Sequence, residues 1–97
     1  MDAATVAALV RHQRQALQPS INGIDLERAF ISPELITALD PYRTQMKKCL
    51  WVVARVGGFA VAYDSRAKTY SLLETDPVEG PYLIGEHGSL KAALEAM

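Results

Sequence analysis

Four places in this chain carry residue types able to do chemistry: Cys49, His12, His87 and the stretch from Gly85 to Lys91. A cysteine becomes a nucleophile when a nearby cation or helix terminus lowers its pKa, and Lys47 and Lys48 precede Cys49 directly. Adjacency in sequence does not place an ammonium on the sulfur, however, and at the head of an apolar run Cys49 reads as a small buried hydrophobe. His12 falls on the polar side of an amphipathic helix and reads as solvated. His87 sits in Glu86-His87 between Gly85 and Gly88, just ahead of a helix start. It reads as a turn residue or a partner contact, because a general base needs a positioned proton donor.

Neither histidine has a second ligand at a metal-binding spacing such as Cys-x-x-Cys or His-Glu-x-x-His. Gly85-x-x-Gly88-Ser89-x-Lys91 has the look of an anion-binding helix start, since first-turn amides attract phosphate. It lacks the Gly-x-x-x-x-Gly-Lys-Ser/Thr order of a phosphate-binding loop and follows a run of strands, so a serine-capped turn is expected instead. No nucleophile elbow or dinucleotide fingerprint occurs. The expectation is a protein that is not an enzyme and holds no cofactor and no metal.

The elements that would position these residues begin with a helix over about Ala3–Leu17. Asp2 is a cap, and Val6, Leu9, Val10, Gln13 and Leu17 recur at helical spacing. Pro19, Ser20, Asn22 and Gly23 must reverse the chain, and Asp25 to Phe30 allows one helical turn. Ser32-Pro33-Glu34 has a capping hydroxyl, a proline whose missing amide costs nothing and an acid at the positive helix end. It predicts a second helix over about Pro33–Leu39. Asp40-Pro41 repeats the signal, so residues 41–46 read as a further turn or a link.

Cys49 to Val56 is rich in β-branched and aromatic residues and meets Gly57-Gly58, which predicts a two-residue hairpin. A single register then pairs Val56 with Phe59, Ala54 with Val61 and Val52 with Tyr63 on the core face. Arg55, Val53, Trp51, Ala60 and Ala62 fall on a face expected to be at best partly buried. After the loop Ser65–Lys68, Thr69 to Glu74 continues the alternation. Residues 75–81 read as a loop, Tyr82-Leu83-Ile84 as a short fourth strand, and Ser89 caps a last helix over Leu90–Ala96. The expected fold is α+β, one domain over 1–97: N-terminal helices, an antiparallel β-meander of three to four strands and a C-terminal helix, with the helices packed on one sheet face.

Composition narrows the function classes. At 97 residues, the chain has ten Lys and Arg against eleven Asp and Glu, which gives a net charge of -1. That lacks the positive field that direct nucleic-acid binding needs. No apolar run reaches the roughly eighteen residues of a membrane span. The lone Cys49 cannot form an internal disulfide and fits the reducing cytoplasm. Charge is uneven: residues 1–55 hold seven basic and five acidic side chains, residues 56–97 three and six. Glu74, Asp76, Glu79 and Glu86 read either as solvated acids that aid solubility or as one converging acidic rim that attracts a basic protein surface, with His87 as a further candidate contact. Trp51 and Arg55, residue types that anchor interfaces, share the less certain sheet face.

Cys49-Leu-Trp-Val-Val-Ala-Arg-Val-Gly-Gly-Phe-Ala-Val-Ala-Tyr-Asp64, Thr69-Tyr-Ser-Leu-Leu-Glu74 and the closing Ile84-Gly-Glu-His-Gly-Ser-Leu-Lys-Ala-Ala-Leu-Glu-Ala-Met97 together resemble small bacterial immunity proteins. These include the inhibitors of contact-dependent growth-inhibition toxins. The resemblance covers the second half of the chain. It implies a cytoplasmic, non-catalytic protein whose partner is a cognate toxin, a basic nuclease domain acting on transfer RNA or DNA. The alternative reading is a small-ligand or regulatory domain able to dimerise, since a strand edge can pair with a second copy.

Overall fold

The computed structural model describes residues 1–41, 46–75 and 80–97. Helix α1 (Ala3–Arg14) starts on Asp2, whose carboxylate accepts from the Thr5 N–H at 2.9 Å and the Thr5 hydroxyl at 2.8 Å. Those bonds, the backbone one foremost, favour the charged form and hold the Asp2 carboxyl below its ordinary pKa. The helix ends three residues before the expected Leu17, which still packs against the core. The chain then reverses as expected, through a hairpin of β1 (Ser20–Ile21) and β2 (Ile24–Asp25). Its turn residues Asn22 and Gly23 have φ of 51° and 78°, the left-handed pair that a two-residue turn demands. Asp25 caps the single turn α2 (Leu26–Ala29).

The expected second helix is absent. Phe30–Asp40 is an eleven-residue strand, β3, despite the Ser32-Pro33-Glu34 start signal. Tertiary pairing overrides the local signal here, because residues 34–40 alternate: Ile36 and Ala38 join an interior cluster, whereas Leu35 and Thr37 are exposed. Pro33 is tolerated because it lies in the irregular stretch between the Phe30↔Ala54 and Glu34↔Val52 pairs, where the regular ladder is interrupted.

Five strands, not the three or four expected, form the sheet: β3, β4 (Met46–Val56), β5 (Phe59–Asp64), β6 (Thr69–Glu74) and β7 (Tyr82–His87). Sequential neighbours pair antiparallel. A parallel contact at Leu39↔Tyr82, with the Leu39 N–H donating to Pro81 O at 2.9 Å, closes them into a barrel. The class is α+β, with mixed rather than purely antiparallel pairing. Residues 42–45 of the expected 41–46 turn, and 76–79 of the expected loop, lie outside the described residues.

The Gly57-Gly58 hairpin holds its expected register through Val56↔Phe59, Arg55↔Ala60 and Ala54↔Val61. A bulge then shifts it, so that Val52 faces Ala62 and Trp51 faces Tyr63. The bulge leaves Val53 and Ala54 both on the outer face, and it moves Val52 to the other side. The expected faces are therefore split: Ala60 and Ala62 of the face expected to be partly buried line the barrel interior, whereas Trp51 and Val53 of that face lie outside. Val52, expected on the core face, joins Ala60, Ala62, Leu50, Leu73 and Leu83 inside, all nearly or wholly inaccessible. Five strands enclose a narrow lumen, and alanines let the walls close on it.

The outer face carries the second cluster. Val6 and Val10 of α1 and Leu90, Ala93 and Leu94 of α3 (Leu90–Glu95, capped by Ser89 as expected) cover Val53, Val61, Tyr63, Tyr70 and Leu72. The Tyr70 hydroxyl donates to Gln13 Oε1, tying α1 to the barrel. Asn22 Nδ2 donates to Glu95 O at 2.9 Å, tying the hairpin to α3. Arg14 stacks 4.1 Å over the Phe30 ring.

Replacing Ala62 by Leu should overpack the interior and cost about 1–3 kcal/mol, read as a lower urea midpoint. Burial, with Tyr63 beside it, pushes the Tyr70 hydroxyl from 10.0 up to about 12. Between those pH values the unfolded tyrosine ionises first, so stability should fall as pH rises through that window. Tyr70→Phe should remove that share of the fall, as urea unfolding at pH 9 and pH 11 would show.

Candidate functional site

The alternation that fills the barrel with alanine and leucine continues to one mouth, where it meets charge. Two residues beyond Ala38 the inward position of β3 is Asp40; two before Leu50 on β4 it is Lys48; two beyond Ala62 on β5 it is Asp64. On β7 a bulge at Ile84 resets the phase and brings Glu86 opposite Ser71. Four strands thus deliver four charges to one place. The Lys48 ammonium lies 2.7 Å from Glu86 Oε1, 3.6 Å from Asp64 Oδ2 and 3.7 Å from Asp40 Oδ2.

Burial makes this cluster consequential. The side chains of Asp40 and Asp64 are 2% and 9% exposed and that of Lys48 19%, while Glu86 reaches solvent at 39%. Asp64 is fixed independently: its Oδ1 accepts from the Arg66 N–H at 3.0 Å and the Ala67 N–H at 3.2 Å, which shapes the four-residue loop to β6. On β6, level with Asp64 and Glu86, Thr69 Oγ1 and Ser71 Oγ are buried and make no hydrogen bond among the described residues.

Beside the cluster a cleft of about 580 Å³ opens across the rim. The four charged residues line it, together with Leu35, Cys49, Trp51, Lys47 and Arg66. Cys49 is exposed, not buried as its sequence setting suggested, because it takes an outward position on β4 beside Thr37, whose Oγ1 is 4.0 Å from its sulfur. A threonine hydroxyl is no base at neutral pH, and no histidine lines the cleft. Among the described residues no group of three or more His, Cys, Asp or Glu is placed to hold a metal ion. No helix there is long and apolar enough to cross a membrane.

The structure divides the residues expected to bind a partner. Trp51 is half-buried and lines the cleft, as does Glu86, which is engaged by Lys48. Arg55 pairs with Glu34 at 3.2 Å at the opposite mouth, in an exposed contact worth little by itself. His87 faces Tyr70 at the end of β7. Its imidazole lies over Gly85, where an added Cβ would stand 3.2 Å from Nε2. Glu74 is exposed at the far end of β6 and pairs with Tyr82, whereas Glu86 pairs with Ser71 near the other end. Three ladder steps, roughly 10 Å, separate them, so Glu74 and Glu86 do not share one acidic rim. Asp76 and Glu79 lie outside the described residues.

Sequence reading missed Asp40, Lys48 and Asp64 as a group. The available signal was a charge ending each of three period-two apolar runs, hidden for Asp40 by the expected helix. Comparison with family models, curated proteins and solved structures finds no match for the chain.

Removing the ammonium with Lys48→Met should strip the buried carboxylates of that countercharge and cost about 3 kcal/mol in chemical unfolding. Ser71→Ala deletes a hydroxyl with no bond to lose and should be neutral or mildly stabilising.

Proposed function

We propose that this chain is an immunity protein. It is a cytoplasmic, non-catalytic domain that binds a cognate toxin, a basic nuclease acting on transfer RNA or DNA, one to one and covers its nucleic-acid-binding surface. The observation that carries the reading is a row of side chains across three strands at the Gly57-Gly58 end of the barrel. Glu74 pairs with Phe59 on one side and Tyr82 on the other.

Glu74 is exposed, Phe59 is 40% exposed and Tyr82 is half-buried. Glu74 enters no ion pair among the described residues, unlike Glu86 and Glu34. An available carboxylate between two aromatic rings supports docking of a basic surface. The rings supply contact area and the charge supplies steering and register. Asp76 and Glu79 follow within five residues in the sequence and add to the same negative stretch. A standard interface buries about 800 Å² per partner, an area that one end of a domain this size can offer.

The test pairs the chain with the toxin domain encoded beside its gene. Equimolar chain should abolish the nuclease activity and restore growth of cells making the toxin, and complex formation should slow as salt rises. The triple variant Glu74→Lys, Asp76→Lys, Glu79→Lys should bind at least about tenfold more weakly. Undiminished nuclease activity in the presence of excess chain would contradict the proposal.

A further inference from the structure

The cleft at the Lys48 mouth lies at the other end of β6 and β7 from the Phe59–Glu74–Tyr82 row, and the docking just described leaves it unused. We propose that it is a binding site for a small amphipathic anion, a carboxylate or similar acidic head on an apolar body.

Its volume, about 580 Å³, falls within the roughly 300–1,000 Å³ of small-molecule sites. The lining supplies apolar surface in Trp51 and in Leu35, which is 54% exposed and is one of the largest apolar side chains left in contact with water among the described residues. Which charge the occupant carries follows from which charged groups have capacity left. Asp40 and Asp64 are at least nine-tenths buried, Asp64 also spends an oxygen on two backbone amides, and Glu86 holds the Lys48 ammonium at 2.7 Å. Lys47 and Arg66, by contrast, are exposed, line the same cleft and enter no ion pair among the described residues. An acidic head that meets these cations gains charge-assisted hydrogen bonds while its apolar body covers Leu35 and Trp51. The carboxylate cluster opposes a cation less than its formal charge suggests, because Lys48 already sits among its oxygens.

Trp51 is the only tryptophan of the chain, so intrinsic fluorescence reports on this cleft directly. Three probes with one tail and different heads separate the possibilities: decanoate, decanol and decyltrimethylammonium, each kept below its micelle threshold. Decanoate should change the Trp51 emission saturably and bind at least about tenfold tighter than either other probe, with a matching rise in melting temperature. The double variant Lys47→Glu, Arg66→Glu lies on the exposed surface and should fold normally. It should lose the preference for decanoate, while Glu74→Lys should keep it. A non-saturating response, equal binding of all three probes, tightest binding of the cation, or an unchanged decanoate preference in the double variant would each overturn the proposal. Because the readout needs no toxin, its failure is distinct from failure of the immunity reading.

Discussion

A sheet of five strands closed on itself leaves a lumen too thin for two layers of large side chains, and most of this molecule follows from that restriction. Every second residue of each strand must be small or must interdigitate closely with its opposite number. Ala38, Ala60 and Ala62 meet Leu50, Val52, Leu73 and Leu83 on those terms. Val53, Val61, Tyr63, Tyr70 and Leu72 face outward, where α1 and α3 cover them in a second core. A sheet buried on both faces needs bulges to keep both alternations in phase, and the register shifts at Val53 and at Ile84 provide them.

The same restriction explains the charged mouth. Inward positions at the end of a barrel still point at one another, so any charges there must be neutralised together. Lys48 meets carboxylates from three other strands and links β3, β4, β5 and β7 at a point where hydrophobic packing has run out. Such a cluster contributes little net stability relative to an apolar plug, but it penalises any rearrangement that separates its members. It also gives the adjoining cleft a rigid polar wall.

Local chemistry made much of the fold readable in the sequence. Asp2 and Ser89 announce their helices, Asn22-Gly23 and Gly57-Gly58 their turns, and the four-residue loop after Asp64 sets Tyr63 against Tyr70. What stayed hidden depends on partners distant in sequence. Ser32-Pro33-Glu34 is a genuine local signal for a helix, yet β4 offers a ladder that extends over most of Phe30–Asp40, and long-range pairing wins. Ala60 and Ala62 were expected on a face at best partly buried, because their interior place appears only once the sheet closes. The acids of the second half looked like one population, but strand direction places Glu74 and Glu86 at different ends.

Two surfaces therefore stand apart on one scaffold: the aromatic and acidic row around Glu74, and the cleft beside Trp51. Assigning the partner to the first is the central functional claim, and amide chemical-shift mapping tests it most directly. On titration with the proposed toxin partner, the largest perturbations should cluster at Phe59, Glu74 and Tyr82. Perturbations confined to Leu35, Lys47 and Trp51, or none at saturating toxin, would contradict it.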